Sequence, residues 1–345
     1  MRLPPPLLAT AFLLLGAAHG FAQTDSTPTP PAPVASTPAA TDDANSISQQ
    51  VFGPRIRTDA AYGAFQRGYY LTALSLALAR AANNDPTAET LIGEIYSKGL
   101  GVAENDASAA GWYKLASQHG DVLATFELAL MYQDGTGVTK DRKLAAELFK
   151  KAADAGYMPA KYNMALLYIE GTYVEPNLSK AAALLKETAD SDLPEARYDY
   201  GTMLMQGAGI APDDKEGARQ IGLAAQAGLI GAEVDYGTLL YLGHGVARDL
   251  KGAIRWYKQA ADADNPVAQN RYAKLLAVGE GADLDLQTAA MWRALARRQG
   301  LPDPVLDKLL ISIPRADLAK AEERARFWPS PLPTEIADAS AKQVP

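Results

Sequence analysis

Small and apolar residues recur with a period of 36 positions through the middle of the chain. Six alanines mark the start of each unit: Ala88, Ala124, Ala160, Ala196, Ala232 and Ala268. A glycine follows each alanine eleven residues later: Gly99, Gly135, Gly171, Gly207, Gly243 and Gly279. A strict period of this length, without insertion or deletion, predicts stacked copies of one supersecondary unit rather than a compact domain.

Each unit has the pattern of two helices joined by a turn. In the second unit, Leu128, Met131 and Tyr132 follow the alanine at helical spacing. Gly135 then fits the left-handed residue that ends a helix. Asp141 belongs to an Asn/Asp column that suits the N-cap of a second helix. The sequence therefore predicts an all-α chain of helical hairpins.

The repeated columns resemble those of the Sel-one-like repeat (SLR), a relative of the tetratricopeptide repeat with a longer loop between its helices. Residues 124–138 match that pattern closely, and the resemblance extends from about Ala88 to Leu301. It implies six repeats over 88–302, stacked as a right-handed α-α superhelical solenoid. The third unit departs from the pattern at Tyr173, and the fourth has Gln220 where a large aromatic residue is usual.

Two flanking segments complete the predicted ordered region. Residues 58–87 resemble one ordinary tetratricopeptide helix pair with a short turn. Residues 303–328 have the pattern of two capping helices. In the second of these, Leu318, Ala321, Ala325 and Trp328 form an apolar stripe at helical spacing. Such caps are expected because the terminal units of a repeat array have no further neighbour to cover them.

The N-terminus has the features of a secretory signal peptide over 1–22. Arg2 precedes an apolar run from Leu7 to Ala18, and small residues end at Ala22, before Gln23. A short anchor helix is the alternative. Residues 23–57 are rich in Pro, Thr, Ala and Ser, and residues 329–345 form a second Pro-containing tail, so both are predicted to be disordered. We expect a periplasmic protein, and the lack of cysteine rules out lipid modification.

Composition removes most enzyme classes from consideration. The chain contains no cysteine and three histidines among its 345 residues, which excludes thiol catalysis and thiolate metal sites. Its net charge of −7 argues against nucleic acid as a partner. We found no nucleophile, phosphate-loop or metal-ligand motif, and no later apolar run is long enough to span a membrane. We therefore predict a protein that is not an enzyme, with no cofactor, no metal and no membrane insertion.

One face of the first helices is the candidate functional surface. It is formed by the residues two, six and nine positions after each repeating alanine, and these are polar in the terminal units but apolar or aromatic in the central ones. The predicted partner-binding residues are Phe126, Leu130, Tyr162, Leu166, Ile169, Tyr198, Met205 and Tyr241. By resemblance to tetratricopeptide arrays, this face lines the concave groove. The alternative is that superhelical curvature buries the same side chains against the next repeat.

These observations favour a function in binding and not in catalysis. We expect a scaffold or regulatory adaptor that binds a protein or an extended peptide in the groove. Binding of envelope polysaccharide is the alternative, with Tyr162, Tyr198 and Tyr241 stacking on sugar rings. Hydrolysis, suggested for cysteine-rich relatives of this family, is disfavoured because this chain has no cysteine. The identity of the partner does not follow from the sequence.

Overall fold

The computed structural model describes residues 59–330, and every regular element in that range is an α-helix. The sixteen helices are α1 (Ala60–Gln66), α2 (Tyr70–Ala81), α3 (Pro86–Ser97), α4 (Asp106–Gln118), α5 (Val122–Asp134), α6 (Arg142–Asp154), α7 (Met158–Glu170), α8 (Leu178–Asp190), α9 (Pro194–Gln206), α10 (Asp214–Gln226), α11 (Ile230–Leu242), α12 (Leu250–Asp262), α13 (Pro266–Val278), α14 (Leu286–Arg298), α15 (Pro304–Leu310) and α16 (Arg315–Phe327). The predicted signal peptide, the predicted linker and all but the first two residues of the predicted tail lie outside the described residues.

The helices stack in chain order. From α2 to α13, each helix packs chiefly against the helix before it and the helix after it, and α14 packs against α13 and α16. The repeats are the pairs α3–α4, α5–α6, α7–α8, α9–α10, α11–α12 and α13–α14, which we number one to six. This arrangement confirms the predicted all-α solenoid of helix pairs.

The turn residues act as the sequence predicts. Gly135 ends α5 in the left-handed region with φ of 80° and donates its N–H to the Met131 carbonyl. The Asp141 side chain caps α6 by accepting from the Leu144 N–H at 3.0 Å. Gly137 is required for a different reason, because a Cβ there would collide with the backbone of Asp106 in the preceding repeat. Tyr173 occupies the matching position of the third repeat and does not adopt a positive φ, so that loop follows a different path.

The core of each repeat consists of small residues that let its two helices approach closely. Ala129 and Ala152 are completely buried, and Phe149 belongs to the same apolar cluster. Trp256 and Trp292 occupy the same position of consecutive repeats and pack on tyrosines of the preceding first helix. Trp256 meets Tyr236, and Trp292 meets Tyr272, each edge-on with ring centroids 5.7 Å apart. These contacts hold the first helix of a repeat against the second.

The last repeat is covered by the C-terminal helices. Ala321 and Ala325 of α16 are buried, and the Trp328 ring meets that of Trp292 at 4.8 Å. The buried Arg293 of α14 makes an ion pair with Asp307 of α15 at 2.7 Å. The apolar stripe identified in the sequence therefore packs on the final helix of the array. Among the described residues, no helix has the length and apolar character needed to cross a bilayer.

Candidate functional site

The candidate site is the surface that the first helices of successive repeats, α3, α5, α7, α9, α11 and α13, build side by side. We call it the first-helix face and define it by the residues two, six and nine positions after each repeating alanine. These are Thr90, Glu94 and Ser97; Phe126, Leu130 and Gln133; Tyr162, Leu166 and Ile169; Tyr198, Thr202 and Met205; Val234, Thr238 and Tyr241; and Asn270, Lys274 and Ala277. Each set of three lies on one side of its helix because residues three and four apart are neighbours there.

The eight predicted residues fall on four consecutive first helices but differ in exposure. Phe126 is only 8% exposed, and its ring packs on Phe149 and Tyr157 with centroids 5.7 and 5.1 Å away. The other seven are half-buried: Leu130, Tyr162, Leu166, Ile169, Tyr198, Met205 and Tyr241. Most of these pack one side against the cores of neighbouring repeats. Part of this face is therefore buried between repeats and part is open to solvent. Phe126 lies in the buried part.

The tyrosines of the face tie consecutive repeats together. Tyr162 donates its hydroxyl to Asp199 Oδ2 at 2.9 Å, and Tyr198 donates to Asp235 Oδ2 at 2.7 Å. In both tyrosine–aspartate pairs, the donor and acceptor are 37 residues apart. Tyr241 makes a related bond of 2.9 Å to Glu280 Oε2, in the turn after α13. The three tyrosines predicted to stack on sugar rings thus donate their hydroxyls to carboxylates of the next repeat.

Sequence reasoning missed these pairs. It assigned no role to Glu127, Asp199 and Asp235, which lie three positions after the repeating alanine and outside the predicted face. In the structure two of them face the preceding repeat. The available signal was a tyrosine at position two followed 37 residues later by an aspartate at position three. Only units three and four have it, so a search for columns shared by all units does not find it.

Two carboxylates beside the face, those of Asp199 and Glu127, are held in an environment that disfavours their charge. Burial raises the pKa of Asp199 to about 6, although the Tyr162 hydrogen bond acts in the opposite direction, and Glu195 raises it further. Burial also raises the pKa of Glu127, opposed by Lys98 and assisted by Glu94. The same desolvation raises the pKa of the Tyr162 and Tyr198 hydroxyls, so both remain protonated donors.

The cations of this face are already engaged. Lys98 pairs with Glu94 at 2.7 Å, and Lys274 pairs with Asp303 at 2.5 Å. Arg271 donates to Thr238 Oγ1 at 2.5 Å and lies over the Tyr257 ring. By contrast, nothing in residues 59–330 forms an ion pair with the three carboxylates at position three, namely Glu127, Asp199 and Asp235. The charges left without a counterion on this face are negative.

The two histidines in the described range take part in pairs between helices. His119 Nδ1 lies 2.8 Å from Oε2 of the fully buried Glu89 and so ties the end of α4 to α3. His244 Nε2 lies 2.9 Å from Asp214 Oδ2 and connects two repeats. Over residues 59–330, no three His, Asp or Glu side chains are grouped so that they could hold a metal ion.

The family model of the Sel1 repeat matches six consecutive segments of the chain: 86–121, 122–157, 159–193, 194–228, 230–265 and 266–301. The chain belongs to the Sel1 repeat family. This confirms the resemblance drawn from the sequence. The first segment of this Sel1 repeat protein starts at 86 rather than 88, because the first helix begins at Pro86, two residues before the repeating alanine.

Solved structures with the same architecture include other Sel1 repeat proteins. A Sel1 repeat protein from Oxalobacter formigenes is 26% identical with a TM-score of 0.62, over 70% of this chain and 97% of that one. A protective antigen of uropathogenic Escherichia coli, which displays an SLR fold, is 21% identical with a TM-score of 0.55. It is matched over 80% of this chain and 68% of that one, and it supports the fold alone. No curated protein matches this sequence significantly. Sel1 repeat proteins generally mediate protein–protein interaction, and their fold is typically a non-enzymatic scaffold.

Proposed function

We propose that this Sel1 repeat protein is a non-enzymatic scaffold or adaptor that binds an extended segment of a protein partner on its first-helix face. The observation that carries the proposal is the run of half-buried apolar side chains on neighbouring central helices, including Leu166, Ile169 and Met205. The ends of the same face are polar or charged, as at Glu94 and Lys274. A bounded apolar strip with a polar rim is the usual anatomy of a protein interface.

A polysaccharide ligand has less support. Stacking on sugars needs open aromatic ring faces, whereas the rings of Tyr162 and Tyr198 are half-buried against neighbouring repeats. Their hydroxyls are also occupied by Asp199 and Asp235. Sugar binding therefore enters as an outcome of the test below and not as a second proposal.

Export to the periplasm is part of the proposal and rests on residues 1–22. A signal peptide cleaved after Ala22 leaves Gln23 as the first residue of the mature chain. Intact-mass measurement of the protein recovered from a periplasmic fraction tests this directly. A full-length chain recovered from the membrane fraction would instead support the anchor-helix alternative.

Site-specific photo-crosslinking tests the binding face. A photoreactive residue replaces Leu166 or Met205 on the face, and the matched controls replace the exposed Ala183 or Lys215 on the second helices of the same two repeats. We expect discrete protein adducts in the cell envelope from the face positions and none from the controls. Equal labelling from both sets, or adducts whose added mass is carbohydrate, would contradict the proposal.

A further inference from the structure

The central part of the first-helix face combines apolar surface with negative charge that no cation within residues 59–330 pairs with. Asp199 and Asp235 each accept a hydrogen bond from a neutral tyrosine hydroxyl and have no cationic partner among the described residues. Charged groups removed from water are ordinarily paired, because desolvation without a counterion costs free energy. Met205 lies on the same first helix as Asp199, and Leu166 and Ile169 lie on the first helix of the repeat before it. A ligand that supplies both cations and apolar groups fits both features.

Most cations of the repeats lie on the second helices, which bear exposed lysines such as Lys143, Lys215 and Lys251. The second helices carry more Lys and Arg than Asp and Glu, and the first helices carry more Asp and Glu than Lys and Arg. The row of first helices presents the carboxylates, so the complementary partner for that row is cationic.

The repeat spacing suggests how such a partner is built. Asp199 and Asp235 occupy the same position of consecutive repeats. The 2.7 Å bond between Tyr198 and Asp235 joins the first helices of these two repeats, which places their axes about 10 Å apart, close to the spacing of neighbouring helices. An extended or polyproline II chain advances about 3.1–3.4 Å per residue, so about three residues span the same distance. Glu127 is two repeats before Asp199, which corresponds to about six residues.

We propose that the first-helix face binds an extended peptide segment with Lys or Arg at every third residue. Two of these cations pair with Asp199 and Asp235, and the intervening apolar residues contact Leu166, Ile169 and Met205. A third cation six residues away reaches Glu127. This proposal rests on the proposed function, since it names the chemistry of the partner for the same face.

Other ligand classes fit the arrangement less well. Carboxylates one repeat apart are too distant to share one divalent cation, whose oxygen ligands lie about 2.0–2.6 Å from the metal. An anionic polymer is repelled by the carboxylates of Asp199 and Asp235. A neutral apolar peptide gains the apolar contacts but leaves Asp199 and Asp235 unpaired.

Fluorescence anisotropy with labelled synthetic peptides provides the test. The first peptide places lysine at every third position among Ala, Leu and Pro. The second has the same composition with lysines two and five residues apart, and the third replaces lysine with glutamate. At about 150 mM salt we expect the second to bind about tenfold more weakly than the first, and the third not to bind, because the pairing is short-range under screening.

Single charge-removing variants of the protein assign the contact. Asp235→Asn and Asp199→Asn keep an oxygen that accepts from Tyr198 or Tyr162. Each substitution should weaken binding of the first peptide by about five- to tenfold, which is the range for a half-buried ion pair. Asp190→Asn is the matched control, since Asp190 is exposed on a second helix and should leave binding unchanged.

Dependence on pH gives an independent readout. Burial raises the pKa of Asp199 to about 6 in the free protein, with Glu195 on the same helix adding to the effect and Tyr162 on α7 opposing it. Affinity for the first peptide should therefore fall between pH 7 and pH 5. This fall should be smaller in Asp199→Asn.

Two results would overturn the inference. One is equal binding of the evenly spaced, shuffled and acidic peptides. The other is unchanged affinity of both Asn variants, given thermal unfolding curves like that of the unmodified chain. Neither of these results would contradict the proposed function, which is supported if crosslinks form at Leu166 and Met205. Loss of those crosslinks would contradict the proposed function itself.

Discussion

The boundary between the second and third repeats is filled by aromatic rings, whereas the next two boundaries are bridged by hydrogen bonds. Position two of the second unit is Phe126, which packs on Phe149 and Tyr157. The same position in the third and fourth units is tyrosine, which donates to an aspartate of the following repeat. One backbone arrangement thus accepts two kinds of junction. The residue at position two distinguishes the two kinds, and the polar kind places an aspartate of the following repeat beside the face.

The largest effect is expected at the aromatic boundary. Phe126→Ala removes a side chain that is 8% exposed, and we expect a loss of about 3–5 kcal/mol in the free energy of unfolding. Urea denaturation followed by circular dichroism measures it. Tyr173→Ala is a suitable control because that ring is more than one-third exposed. A loss below about 1 kcal/mol would show that Phe126 contributes little to the junction.

The charge of the polar boundary should make stability depend on pH. Burial holds the pKa of Asp199 at about 6 in the folded protein, above its ordinary value of 3.8. The folded state therefore binds a proton more strongly than the unfolded state, so the contribution of Asp199 to stability decreases as pH rises from about 4 to 6. A change of about 1–3 kcal/mol is expected relative to Asp199→Asn. Urea titrations of both proteins at pH 4.5, 5.5 and 7 measure it, and parallel pH profiles would contradict it.

The hydrogen bond itself is expected to contribute less. Tyr162→Phe keeps the ring but leaves Asp199 without its donor, so we expect a loss of about 1–2 kcal/mol at pH 7. The double variant with Asp199→Asn completes a thermodynamic cycle. A coupling energy near zero would mean that the bond does not stabilise the boundary. Tyr173→Phe serves as the control, since the Tyr173 hydroxyl makes no hydrogen bond to another residue of the range 59–330.

The smallest effect is expected when the aromatic junction is replaced by a polar one. Phe126→Tyr with Asn163→Asp places a tyrosine at position two and an aspartate at position three of the next unit, as in the polar boundaries. We expect the pair to differ from the unmodified chain by less than about 1 kcal/mol, with favourable coupling between the two substitutions. Unfavourable coupling would show that this boundary cannot accept the polar junction.

The sequence by itself determined the fold. A period of 36 residues, a glycine that ends each first helix and an Asn or Asp that caps each second helix are local signals repeated six times. Local signals of this kind need no knowledge of distant contacts, so the all-α solenoid and its family were predicted correctly. The same period placed the candidate face on one side of consecutive helices.

Only the tertiary structure decided how that face is divided between packing and solvent. Residues at positions two and three are about 100° apart on the helical wheel, so periodicity alone assigned the tyrosines and their aspartates to different sides. Stacking brings position two of one repeat against position three of the next, 37 residues along the chain. The tyrosine–aspartate pairs follow from that offset, and the burial of Phe126 follows from its packing on Phe149 and Tyr157, because such contacts depend on how the helices stack and not on local sequence.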